Sequence, residues 1–332
     1  MKLLQLTILL LFSLSTFPDK TATELFQQLL DDHWEYSLQE NPLFATGQGD
    51  HRFNDRLPET GLDAMEAAYE SNKDFLARLK TISRDSVVSE HQVNYDIFRI
   101  QLENAIENYE RNGHLLPLNG WWDYHASFAD LANRVPLNNF EDYRNYLSRL
   151  KAFPDYNAGY IERLRRGADI GFVRPQIVFD DYLESVSALI TERPEESRLF
   201  EPFNNFPDQI DEEERGLLRQ EASQVIRESV IAEFRKLHDF LSDEYVPEAS
   251  PTIGITDVPG GEAYYDYLVK SYTTMDINAE EIHQTGLDEV ARIRAEMMEI
   301  VKSEGFGGAF DAFTEYLRTD ERFYAEISEE LM

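Results

Sequence analysis

The sequence contains no cysteine. That excludes disulfides, cysteine-ligated zinc, a cysteine nucleophile and an acylated leader cysteine, and it is compatible with an oxidising compartment. Glycine (16) and proline (13) are modest for 332 residues, which argues against a loop-rich all-β protein and for helix. Positive charge is scarce: 31 Lys and Arg stand against 63 Asp and Glu, a formal net charge of −32. A surface this negative repels phosphate backbones, so no nucleic acid is expected as a partner, and anionic membranes are disfavoured.

Familiar catalytic signatures are missing too. No histidine is followed by glutamate, so there is no H-E-x-x-H helix. No G-x-S-x-G elbow and no G-x-x-x-x-G-K-[ST] phosphate loop occurs, and "GQGD" (47–50) is too short for a dinucleotide fingerprint. One long apolar run exists, Leu3 to Leu14, after the single basic Lys2. It is too short to span a bilayer and fits the apolar core of a signal peptide over residues 1–20, with Ser13-Leu14-Ser15 as a cleavage candidate.

What is present favours a folded helical chain. Hydrophobic residues make up 42%, including 17 Tyr and 21 Phe, enough for a sizeable core. Helix-start patterns recur at Thr21-x-x-Glu24, Ser89-x-x-Gln92, Asn139-x-x-Asp142, Asp211-x-x-Glu214 and Asn278-x-x-Glu281. Each sets a capping side chain three residues before an acid or amide. Helical spacing follows in Leu62, Met65, Tyr69, Leu76 and Leu79, and again in Phe140, Tyr143, Tyr146, Leu147 and Leu150. A long helix is expected from about Glu212 to Asp243, stopping before Pro247. The last clear one carries Ile282, Leu287, Val290, Ile293, Met297 and Ile300, and ends before Gly305. The best strand signal is "PTIGITDVPGG" (251–261), before a Gly-rich turn. The most loop-like internal segment, 193–215, marks a boundary between two lobes or a loop within one domain.

Four stretches carry candidate chemistry. His283 lies on a well-capped helix, but one turn away it finds only Ala279 and Leu287, with Glu280 at i−3, which is poor support for a metal ligand. "WWDYHASFADLANR" (121–134) gathers aromatics around Asp123 and His125; it suits sugar stacking or a carboxylate–histidine pair, and better a buried aromatic cluster with satisfied polar tips. "GDHRFNDRL" (49–57) reads as an ion-pair network fixing a loop before it reads as a binding edge. Tyr264, Tyr265, Tyr267 and Tyr272 follow the Gly260-Gly261 turn, where close backbone approach permits a groove lining. None of these makes a catalytic or metal set.

Three of the stretches carry a resemblance. "GDHRFNDRL", "RRGADIGFVRPQIV" (165–178) and the segment from Pro259 to Met297 are similar, in order and spacing, to the bacterial family known as domain of unknown function 885. The resemblance implies a mainly α, multi-helix, zincin-like array with at most a few short strands. It implies exported proteins of roughly 550 to 600 residues in the family, presumed metal-dependent peptidases or hydrolases. Their H-E-x-x-P-G-H motif would lie beyond Met332, so this chain is expected to be the N-terminal portion of the larger fold, residues 21–332 being helical. Zinc is then expected for a full-length member and no cofactor in this chain. Peptide is the implied substrate class, engaged through the remaining half. Tyr264, Tyr265 and His283 are the candidate cleft-lining residues. The expected location is periplasmic or secreted, without a stable membrane anchor after signal cleavage. The contrasting expectation is a non-catalytic helical binding or scaffold protein.

Overall fold

The computed structural model describes residues 20–118 and 123–325, apart from the side chain of Asp180. The signal segment, Trp121 and Trp122 therefore lie outside the described residues. Among those described the fold is mainly α with no strand; the one extended pairing is an isolated parallel bridge between Pro175 and Ser250. The chain divides into two compact units between Tyr265 and Asp266. Segment 193–215 thus falls inside the first unit.

The first unit begins with α1 (Ala22–Glu40), α2 (Pro42–Gly47), α3 (Leu62–Lys80) and α4 (Ser89–Glu110). Thr21 and Glu24 form the expected capping box on α1, a device of about 1 kcal/mol. The apolar stripes of α1, α3 and α4 meet in a core of Phe26, Leu29, Phe75, Leu79, Tyr95, Phe98 and Leu102. Tyr95 donates its hydroxyl hydrogen within that core, where the Leu79 and Ile82 carbonyls lie 3.0 and 3.1 Å away. It thereby ties α4 to carbonyls at and just beyond the end of α3. The Ser89 box does not form: Val88 holds the cap position, and Gln92 instead donates to the Val87 carbonyl at 3.0 Å.

A second layer follows: α5 (Tyr124–Ala129), α6 (Phe140–Lys151), α7 (Phe153–Asp169) and α8 (Phe179–Ser187). Phe153, fully buried, stacks on Phe128 at 4.0 Å and meets Phe234 at 4.9 Å. Segment 193–215 is pinned rather than loose, because Tyr146 and Tyr143 of α6 donate to the Leu199 and Pro202 carbonyls at 3.0 and 3.1 Å. Leu199, Phe200 and Phe203 are buried.

The expected long helix is α9 (Glu212–Val225), α10 (Ala232–Phe240) and α11 (Val246–Glu248), joined by π-helical stretches at Ile226–Ile231 and Leu241–Tyr245. It runs through Pro247 because that proline opens the short α11, where a missing N–H costs nothing. "PTIGITDVPGG" is not a strand. It has no ladder partner among the described residues and tightens into a 3₁₀ turn at Ile255–Asp257. A Cβ on Gly261 would sit 1.6 Å from the Ile255 carbonyl oxygen, so the chain folds back on itself only with glycine there.

α12 (Gly261–Thr273) carries the chain across the division. The second unit holds α13 (Ala279–Ser303), with the Asn278–Glu281 capping box, and α14 (Phe310–Thr319). Phe306 packs on Phe313 and Tyr316 with ring centroids 5.2 and 5.3 Å apart. Asp320 caps a final 3₁₀ turn, accepting from Arg322 N at 3.0 Å.

Candidate functional site

"GDHRFNDRL" folds as a turn through Gly49, at φ 83°, into a 3₁₀ turn at His51–Phe53. Arg52 donates to both Glu35 oxygens at 2.8 Å, and its Nε donates to Asp50 at 3.0 Å. Those bonds hold the carboxyls of Glu35 and Asp50 below their ordinary range. The deeper fixture is Arg149 of α6, with no exposed surface. Its Nε donates to the Arg56 carbonyl at 2.8 Å. Its Nη2 serves Thr46 Oγ1 at 2.7 Å and the Pro42 and Phe53 carbonyls at 3.1 and 3.2 Å. The loop therefore wraps an arginine. Burial pulls that guanidinium down to about 10. The ion-pair reading of this stretch accordingly describes it well, and Arg149 is the partner it lacked. A polar open cleft of about 630 Å³ lies alongside, between Arg52, Asp55, Asn138 and Asn145.

The His125 region is a buried polar network among aromatics. Tyr124 stacks on Tyr160 at 3.8 Å and donates to Asn157 at 2.7 Å; Asn157 donates onward to Glu233 Oε2 at 2.9 Å. His125 Nδ1 lies 2.8 Å from the Tyr182 hydroxyl, and its Nε2 lies 2.6 Å from Ser185 Oγ. The spacing resembles a nucleophile–base pair, and the tautomer of His125 decides between that and a structural bond. Burial keeps the Tyr182 phenol protonated; in the tautomer in which it donates to Nδ1, the hydrogen lies on Nε2, facing Ser185. Burial also holds His125 down to about 4. In that tautomer it is a neutral donor to the serine, with no lone pair facing the serine's hydroxyl.

Behind Tyr182 the fold opens an apolar pocket of about 290 Å³. Phe179 and Tyr182 of α8 form one wall, with Val178 just before them; Ile253 and Ile255 of the former strand candidate form another, and Leu118 closes it. Pro175 and Arg174 complete the lining. Two observations shape it. The Pro175–Ser250 bridge holds the two segments together, with Gln176 N donating to Ser250 O at 2.7 Å and Ser250 N to Arg174 O at 3.0 Å. The second π-helical stretch presents the fully buried Tyr245, whose hydroxyl accepts from Arg174 N at 3.3 Å. π-turns of this kind gather at functional sites. Arg174 itself is only partly engaged: Nη2 donates to the Leu116 carbonyl at 3.4 Å, and Nε is buried with no partner.

The sequence candidates lie elsewhere. Tyr264 is buried and meets Phe172 edge-on at 5.4 Å. Tyr265 is 41% exposed on α12, and His283 is exposed near the start of α13 in the second unit. The apolar pocket is lined without them.

A family model describing bacterial proteins of unknown function, DUF885, matches residues 42–332. The chain belongs to that family. Arg174, Pro175 and Val178 of the "RPQIV" segment, which lies within the matched range, line the pocket. The DUF885 chain is similar to the crystal structure of a candidate lipoprotein from Colwellia psychrerythraea at 19% identity and a TM-score of 0.80, covering 92% of this chain and 57% of that one. It is also similar to the structure of a candidate lipoprotein of unknown function from Shewanella oneidensis, at 18% identity and a TM-score of 0.54, covering 87% and 50%. At such identities the likeness concerns the fold. The chain spans about half the length of these solved structures. No curated protein matches it.

The zinc implied by the resemblance can be tested against the residues present. Among the described residues no three His, Asp or Glu side chains converge as a metal site requires. These residues do not fit that ion.

Proposed function

We propose that this chain is the helical substrate-binding portion of an exported DUF885 hydrolase acting on peptides, with the bond-breaking groups supplied outside the described residues. The observation that carries it is the apolar pocket built from a family signature segment, with one underused arginine on its wall. A recess that is apolar apart from one oriented cation has the make-up of a small-ligand or side-chain subsite. Export is supported by the N-terminal apolar run of the sequence and by the lipoprotein descriptions of the two similar structures. No helix among the described residues is long and apolar enough to cross a membrane. Tyr265 in the first unit and His283 in the second, both exposed, are each proposed as a substrate contact of its own unit.

The test compares peptide hydrolysis and zinc content in this chain and in a family-length protein. Under the proposal the longer protein cleaves peptides, whereas this chain binds them without cleavage. Stoichiometric zinc and peptide hydrolysis in this chain alone would sink it. A non-catalytic binding protein is the second reading, favoured by the absence of a metal-type cluster among the described residues; a family-length protein that binds peptides and cleaves none would establish it.

A further inference from the structure

We infer that the apolar pocket takes the C-terminal residue of a peptide, an aliphatic or aromatic side chain whose α-carboxylate pairs with Arg174. The inference rests on the reading of this pocket as the peptide subsite. Size limits the occupant. About 290 Å³ lies at the low end of ligand sites, which run from about 300 to 1,000 Å³. The pocket has room for one residue, not for an extended segment.

The lining selects its chemistry. Val178, Phe179, Ile253 and Ile255 offer apolar surface, with Val178 and Ile253 49% and 78% exposed. Among the described residues, Arg174 is the single charge on the wall. With 63 acidic residues against 31 basic ones, carboxylates are abundant, and arginines such as Arg52, Arg84 and Arg292 are paired with them. Arg174 pairs with none among the described residues. Its buried Nε has no acceptor, and a buried donor left unmade is costly. A turn of the guanidinium toward a ligand oxygen relieves that cost.

Geometry selects the carboxylate over a plain carbonyl. A guanidinium binds two carboxylate oxygens in parallel, and a charge-assisted bond is about twice as strong as a neutral one. Beside apolar walls that preference grows, because water screens less. The backbone of Arg174 is meanwhile fixed by Tyr245 on one side and Ser250 on the other. A free C-terminus adjoining an apolar side chain meets both demands at once.

The experiment is a methyl NMR titration of the chain, labelled at Ile, Leu and Val methyls, with N-acetyl-leucine and separately with N-acetyl-leucinamide. The expected result is shifts at Val178, Ile253 and Ile255 with the acid, and about tenfold weaker binding of the amide. Arg174→Met should erase the difference while leaving the other methyl signals in place. Arg174→Lys, which keeps the charge, should retain a preference for the acid, so the test does not hang on one variant. Equal binding of acid and amide would overturn the carboxylate inference and leave the peptide subsite standing. No movement of the pocket methyls with either compound would overturn both.

Discussion

Two arginines in the first unit are both tied to backbone carbonyls, and each leaves one buried nitrogen without a partner, yet they differ in what surrounds them. Arg149 is fully buried and meets four acceptors from the Pro42–Arg56 region. Arg174 lines an open apolar pocket and reaches one carbonyl, at the long distance of 3.4 Å. Arg149 spends its Nε and Nη2 on the loop that encloses it, and its buried Nη1 finds no acceptor. Arg174 retains donors beside empty space. What separates the two is their surroundings: Arg149 is enclosed by its own loop, whereas Arg174 adjoins an open pocket, so the same guanidinium serves architecture in one place and is offered to a ligand in the other.

That contrast breaks most visibly at Arg149. Arg149→Met leaves the Arg56 carbonyl without its side-chain donor and strips one bond each from Thr46 and the Pro42 and Phe53 carbonyls, and should cost about 3 kcal/mol in urea unfolding. A loss well under 1 kcal/mol would show that the loop holds itself together through Arg52 alone, whose exposed ion pairs are worth little.

The next effect is on pH dependence. Burial holds His125 and His114 at about 4 when folded, against 6.5 ordinarily. Between those values the unfolded chain binds protons that the folded chain refuses. Stability should therefore fall as pH drops from 6.5 toward 4. His125→Asn should flatten that slope when unfolding midpoints are compared near neutral pH and near pH 4. An unchanged slope would mean that His125 is already charged in the fold. Tyr182→Phe, which removes the donor to Nδ1, should cost about 1 kcal/mol.

The smallest stability effect belongs to Arg174. Arg174→Met should change unfolding by less than about 1 kcal/mol, because it gives up one long bond and removes one unsatisfied donor. A loss comparable to that at Arg149 would erase the distinction between the two.

Much of the helical frame was legible from the residues. Thr21, Asp211 and Asn278 cap where their spacing says they should, since a capping box is a local interaction that needs no tertiary partner. Ser89 misled because Gln92 found a better acceptor in Val87, beside Arg84. The strand expectation at 251–261 failed for a non-local reason: β-branched residues favour a strand only when a neighbouring strand supplies the ladder. The pocket was less legible. Val178 and Phe179 lie far from Ile255 in the chain and come together with it across the Pro175–Ser250 bridge, and no local pattern announces that pairing. Arg149 did leave a trace, as a cation three residues after Tyr146 and four before Phe153, both buried. A charge on the apolar face of a helix is a signal that something must satisfy it.

The most direct test of the carboxylate-binding pocket is a crystal structure of the chain grown with N-acetyl-leucine. The expected density places the carboxylate on the Arg174 guanidinium, with the isobutyl group against Val178, Phe179 and Ile255. An Arg174 still resting on the Leu116 carbonyl, with the pocket empty at saturating ligand, would contradict it.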